Sequence, residues 1–455
     1  MAAAVRVYPA RRPRWRRPVL VALAAVSALV LAAAALPWSC AALPDEAEVI
    51  NRGGLADEEA SGRGRAAFYT EDLGDAAFLT DRAGLLAGPL RPWSVLRALA
   101  GLRGAGTTNL QVALAEDATI GGQVLARGAR IDTGLDVAAG SLLPLGVAVH
   151  VSRLRVRVGI TCALCHSTVD PETRQVIHGA PNSDLRIGLL LALAADSAAF
   201  AAHTGVGEAA PREEAVDRAL LAWPPGMFDA TRDGVANPTR IADVFTRDEA
   251  AFGWDGAGRG GLAQFVDVAA GLHPIGAAET TAGPATAQAT AAWLATLAPP
   301  EVAVDAEAAE LGREVFVRGG CEGCHAGPRA QAVDVGSDPA RSRAGYKPPG
   351  LLGLWWRAPY LHDGGLAVGP GEAIVGVGDT RALGLPIDPR GSLRALVDRD
   401  LRARVVAANR TDAARWDSHV RGVGHAFWVD PAAGFSPAEQ RMLIEYLLSI
   451  RPARP

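Results

Sequence analysis

Four of the five cysteines fall in two short segments, Cys162-Ala-Leu-Cys165-His166 and Cys321-Glu-Gly-Cys324-His325. On a helical turn, positions i, i+3 and i+4 share a face, so two thiols and an imidazole converge on one object. A haem suits that set: the sulfurs add to its two vinyl groups, and the histidine ligates the iron. Three other uses of the pattern compete with this one. Paired cysteines in exported proteins usually form disulfides, yet a disulfide gives no reason for a histidine to follow, twice. A zinc site would have to gather the two pairs across far more chain than zinc ligands usually span. A thioredoxin-like redox pair would require a βαβ context, which neither flank suggests. The segments therefore read as attachment sites for two covalently bound haem c groups. Cys162, Cys165, Cys321 and Cys324 are the attaching thiols, and His166 and His325 the proximal ligands.

The far side of each iron separates an electron carrier from an oxidant-activating enzyme, because a sixth ligand occupies the place a substrate would take. Methionine is scarce: Met1, Met227 and Met442 are all there are. Met442 sits in an apolar helical stretch. Met227, in Trp223-Pro-Pro-Gly-Met-Phe-Asp229, is a candidate ligand, set against the commoner thioether role of filling gaps in a core.

The elements that must position these residues are partly visible. Residues 308–317 read as a helix with Leu311, Val315 and Phe316 on one side, running into Gly319-Gly320-Cys321. Ser436-Pro-Ala-Glu439 is a capping box with proline at the first helical position. It opens a helix through Ile450 that carries Leu443, Tyr446, Leu447 and Ile450. A helix before the haem segment and a helix closing the chain make the minimal cytochrome c arrangement. Residues 286–297, with Trp293, Leu294 and Leu297, form the matching closing helix of a first unit, and Pro299-Pro300 the linker. Residues 44–105 read as short helices and loops with Phe68, Tyr69, Phe78 and Leu79 in the core. Residues 111–160 alternate β-branched residues with glycine, as a few short strands would. The expected fold is mainly α: two cytochrome c-like haem domains at 44–298 and 301–455, strands before the first haem, and an N-terminal transmembrane helix.

That last element rests on the first 43 residues. Six arginines between Arg6 and Arg17 precede an apolar run, residues 19–36, interrupted only by Ser27. Its length just reaches across a bilayer, and the arginines hold the N-terminus in the cytoplasm. The reading is a single-pass anchor in the cytoplasmic membrane with the bulk of the chain in the periplasm or extracytoplasmic space. A cleaved signal, using the small residues Ala32 to Ala35, is the alternative. Cys40 is preceded by Pro37-Trp38-Ser39, which does not suit lipidation. The formal net charge is −4 and no basic stripe follows Arg17, which excludes nucleic acid as a partner.

Several motifs resemble those of a known family. Phe252-Gly-Trp254-Asp255-Gly256, with Gln264 downstream, is similar to a "FWDGR…L..Q" stretch. Ala358-Pro359-Tyr360-Leu361-His362-Asp363-Gly364 is similar to an "APYFHDG" loop, and Gly424-His425-Ala426-Phe427 to a "GHEF" stretch. Over residues 155–453 the chain resembles the bacterial di-haem cytochrome c peroxidase superfamily. That superfamily includes the enzyme that matures methylamine dehydrogenase and, more distantly, the di-haem rubber oxygenases, the branch with "GHEF". The resemblance implies that the second haem takes electrons from a small redox donor protein or a quinol-linked donor. Trp254 would relay them, the first haem would reduce hydrogen peroxide, and Glu279 would act as general acid. The methionine that follows the family's HDG loop is missing from residues 372–378. The resemblance therefore offers His425 as sixth ligand of the second haem, with His362 and His419 as alternatives. His178, in His178-Gly-Ala-Pro-Asn182, resembles the distal histidine of the first haem, or is an ordinary loop residue. An electron relay without substrate chemistry and a rubber-oxygenase-like dioxygenase are the other activities compatible with the motifs.

Overall fold

The computed structural model describes residues 58–72, 75–152, 155–207, 212–231, 234–245, 261–272, 283–325, 333–336 and 345–452. All lie in one unit, Glu48–Pro455. The apolar run 19–36, Trp254 and Glu279 fall outside the described residues. Among the described residues, no helix is long and apolar enough to cross a membrane. Among the described residues helices predominate, and the strands form five two-stranded antiparallel pieces.

The two cysteine segments are themselves short helices, framed by four longer ones; in chain order these are α1 (Glu58–Thr70), α2 (Cys162–His166), α3 (Pro284–Leu294), α4 (Ala306–Arg318), α5 (Glu322–His325) and α6 (Pro437–Ser449). Helix α1 crosses α3, and α4 crosses α6, each at a glycine. A Cβ on Gly64 would stand 2.0 Å from the Ala289 carbonyl oxygen, and one on Gly312 would stand 2.0 Å from that of Met442. Only glycine lets two backbones approach so closely. One turn further on, Phe68 meets Trp293 with ring centres 4.7 Å apart, and Phe316 meets Tyr446 at 5.3 Å. Both glycine-bearing helices read Gly-Arg-x-x-Phe, at Gly64–Phe68 and Gly312–Phe316. The same helix crossing therefore occurs twice in the chain.

The C-terminal pair begins and ends much as its sequence suggests. Asp305 caps α4, accepting from Ala308 N–H at 3.0 Å. The Ser436 hydroxyl accepts from Glu439 N–H at 3.2 Å while Glu439 accepts from Ser436 N–H at 2.7 Å, so the capping box is complete. One expectation fails: Leu311 is 43% exposed and not part of the packed side. The crossing is so close that its centre is taken by Gly312, with Ala308, Val315 and Phe316 buried around it. That contact face is displaced by one residue from the one apolarity suggests.

In the N-terminal half, the entry helix is α1, a full 13-residue helix and not merely one of several short pieces. Short antiparallel pairs separate it from Cys162, the last being Val147–Ser152 against Arg155–Ile160. Leu110, Val112, Ile120, Ile131 and Val137 from this insert share a core with Leu185, Leu193, Phe200 and Leu220. A second core joins the halves. Phe245, fully buried, packs with Phe68, Trp293 and Leu297 on one side and with Leu352 and Trp356 on the other. Gly179 and Gly353 give it room, since a Cβ on either would crowd the Phe245 ring at 3.0 and 2.8 Å.

Candidate functional site

The first segment is held by the end of a hairpin. Gly146, at φ +70°, lies so close to α2 that a Cβ would stand 1.9 Å from Leu164 N, and its carbonyl accepts from Thr161 N–H at 2.9 Å. Cys162 and Cys165 are free and partly buried. Burial pushes their thiols up to about 11 and about 12, so as thiols they are neutral and inert. His166 Nδ1 lies 2.8 Å from the Ala242 carbonyl oxygen. A carbonyl can only accept, so Nδ1 carries the proton and Nε2 is the nitrogen with which this imidazole could ligate a metal.

His178 lies on the strand Val176–His178, paired with Ser167–Val169 directly after α2, so that Ser167 stands opposite His178. Its Nδ1 is 2.5 Å from the Tyr69 hydroxyl, which also bonds the Ser167 hydroxyl at 3.0 Å. Edge-on contacts with Tyr69 and Trp293 complete an aromatic box, at 5.7 and 6.0 Å. Burial, helped by the charge of Arg65, lowers His178 to about 4, so it is neutral at physiological pH. Burial likewise raises the Tyr69 phenol beyond its ordinary range. Behind the hairpin, buried Asp136 accepts from Thr168 Oγ1 at 2.6 Å and Val169 N–H at 2.8 Å. Desolvation pushes its carboxyl up to about 8.

The second segment repeats the first in its essentials. Neither Cys321 nor Cys324 is in a disulfide, and burial raises the Cys321 thiol. His325 Nδ1 lies 3.1 Å from the Pro349 carbonyl oxygen, which again puts the proton on Nδ1 and makes Nε2 the nitrogen that could ligate a metal. A cavity of about 290 Å³ borders His325, walled by Phe316, Val317, Leu351, Tyr446 and Ile450. The His425 ring faces that of His325, with centres 6.3 Å apart and planes at 52°. Two imidazoles on opposite sides of one ion, each with a metal–nitrogen bond of about 2 Å, have ring centres roughly 6 Å apart. Burial, with His325 and Arg402 adding to it, lowers His425 to about 4, and its Nδ1 is buried without a hydrogen-bond partner. A neutral imidazole with an unsatisfied buried nitrogen is the state a metal ligand requires.

The loop carrying His425 is fixed from two directions. Asp363, in the Ala358–Gly364 motif, accepts from Arg421 N–H at 2.9 Å and Gly422 N–H at 2.8 Å. Gly365 lies so close to Gly422 that a Cβ would stand 2.1 Å from Gly422 N. Buried Arg402 donates to the carbonyls of Gly424 at 2.5 Å and Gly422 at 3.4 Å. His425 itself sits in the left-handed region, at φ +52°. The other candidates have other surroundings. His362 is stacked on Tyr346 at 4.2 Å, and His419 occupies a left-handed turn at φ +60°. Met227 is fully buried with its methyl against Gly364, which accounts for it as packing. Trp254 and Glu279 lie outside the described residues.

Among the described residues, no three His, Cys, Asp or Glu side chains gather as an ion site. A zinc centre built from both cysteine pairs would be such a gathering. A haem needs only one or two ligands from the chain, because its own nitrogens supply the other four. Cysteines outside any disulfide beside fixed imidazoles at both segments, and the facing His425 ring at the second, fit that group. Arg402, Ala242 and Pro349 escaped the sequence reading, which placed Tyr69 in the core but gave it no part in the site. The repeated Gly-Arg-x-x-Phe would have located α1, and Tyr69 with it. Compared with known proteins, the chain matches no family model, no curated protein and no solved structure.

Proposed function

We propose that this chain is a di-haem c-type cytochrome, an oxidoreductase of the cytochrome c peroxidase type, held at the cytoplasmic membrane by residues 19–36 and facing the periplasm. The observation that carries the reading is the duplication. Each cysteine segment has a glycine-centred helix crossing in its half of the chain, and each has a histidine that gives its Nδ1 proton to a carbonyl, at 2.8 and 3.1 Å. When bound, haem supplies a redox-active iron whose potential follows its axial ligands.

The chain's own residues divide the work. Cys162, Cys165, Cys321 and Cys324 attach the two groups, and His166 and His325 orient them. His425 serves as sixth ligand at the second site, which suits an electron-accepting centre facing a small redox donor protein or a quinol-linked donor. Phe427, 48% exposed and edge-on to His425, gives such a donor an apolar landing surface. At the first site Tyr69 and Trp293 hold a neutral His178, while Trp254 and Glu279 are proposed as relay and general acid on the family resemblance alone. The Tyr69–His178 bond favours a second reading as well: if His178 ligates the first iron, both sites are closed and the protein is an electron relay.

Electron paramagnetic resonance of the purified holoprotein, fully oxidised and after one-electron reduction, separates the two. The peroxidase reading requires a high-spin signal from the first haem in one of those states. Two low-spin haems in both states would leave only the relay.

A further inference from the structure

The acceptors of the two proximal histidines are joined to each other. Ala242, which accepts from His166 Nδ1 at 2.8 Å, is followed by Asp243. Pro349, which accepts from His325 Nδ1 at 3.1 Å, is followed by Gly350, whose carbonyl accepts from Arg357 Nη1. Asp243 and Arg357 form an ion pair, Nε to Oδ2 at 2.7 Å, with side chains 2% and 6% exposed. One unbroken connection therefore runs from His166 through Ala242 and Asp243, across to Arg357, and through Gly350 and Pro349 to His325.

Neighbouring bonds stiffen both ends. The other Asp243 oxygen accepts from Phe245 N–H at 3.2 Å, and Arg240 Nη1 donates to the Arg357 carbonyl at 3.1 Å. Val244 N–H donates to Gly179 O at 2.8 Å, and Gly179 N–H to His166 O at 2.9 Å, closing a ring around the first histidine. Desolvation makes a buried ion pair a poor source of stability compared with apolar packing. What it provides well is fixed geometry, since the planar guanidinium bonds Asp243 and Gly350 at set angles.

We propose that Asp243 and Arg357 are positioning residues shared by both haem sites, holding the two proximal hydrogen-bond acceptors in one frame so that the donor strengths of His166 and His325 are set together. This rests on the haem reading above. An Nδ1–H bonded to a well-placed carbonyl makes the imidazole a stronger donor, which favours oxidised iron. Releasing both acceptors weakens both donors.

The test is potentiometric titration of the full-length holoprotein, followed in the visible spectrum, for wild type and the double variant Asp243→Asn/Arg357→Met. The double change leaves neither charge buried alone. Both midpoint potentials should rise. Charge removal by itself would give opposite signs: losing the Asp243 anion raises the first haem's potential, and losing the Arg357 cation lowers the second's. Opposite shifts, a shift at one haem alone, or no shift overturns the proposal. Should the double variant not fold, Asp243→Glu keeps the pair but lengthens its arm. It should raise both potentials, and unchanged values would count against the shared frame. Wild-type protein without covalent haem would overturn the haem reading and this inference with it.

Discussion

His425 adopts a left-handed backbone, at φ +52°, that a residue with a Cβ holds only when its surroundings dictate it. Arg402 is the main constraint. It is buried, and burial lowers it to about 10, so it is still charged at neutral pH. It bonds four carbonyls, of Ala395, Leu396, Gly422 and Gly424. Replacing Arg402 with Gln should destabilise the fold by about 2–4 kcal/mol in denaturant titration, through carbonyls left unpaired. It should also turn part of the second haem high-spin, as His425→Ala should do completely. A low-spin second haem in His425→Ala would remove that histidine as ligand. Asp136 supplies a pH effect of known sign. Its folded pKa, about 8, lies above the unfolded value near 4, so its contribution is complete below about pH 4 and is lost as pH rises towards about 8. Asp136→Asn should flatten the stability profile across that window, and an unaltered slope would show that other groups set it. At this scale, the side chains proposed to hold the haems can be named from sequence alone, since their chemistry is in their names. Ala242 and Pro349 cannot be, because a backbone carbonyl has no signature and Ala242 is remote from His166 in the chain.

At the scale of elements, the closing helix was readable because its signals are local: Ser436 and Glu439 cap it, Pro437 starts it, and Leu443 faces inward. The packed side of Ala306–Arg318 was not, because a crossing close enough to need glycine puts no apolar side chain at its centre. Leu311 advertises a face that Gly312 actually makes. The α1–α3 pair was obscured for a different reason, since a strand-bearing insert separates Glu58–Thr70 from the cysteines it serves. Gly64→Ala and Gly312→Ala each push a methyl into a carbonyl 2.0 Å away. Each should cost about 2–3 kcal/mol by thermal unfolding, the upper part of the usual range for overpacking, because the methyl meets backbone that cannot swing aside. Each should also loosen only the haem of its own half, read as the loss of one proximal-ligand signature in the spectrum. Equal disturbance of both haems by Gly312→Ala would contradict two separately built halves.

For the whole molecule, the two halves meet through Phe245 and the Asp243–Arg357 pair, contacts between residues more than a hundred positions apart that no local pattern announces. The duplication itself was legible. The proposed export, which rests on residues 19–36 of the sequence alone, predicts that cell fractionation finds the chain in membranes, resistant to salt and released by detergent. Recovery in the salt wash would replace the anchor with a cleaved signal. The central claim is that each cysteine segment holds a haem covalently. Intact mass spectrometry of the denatured chain tests it most directly. We expect the polypeptide plus two haems, falling to one firmly held haem in Cys162→Ala. A mass equal to the polypeptide alone, with or without disulfides, would contradict it.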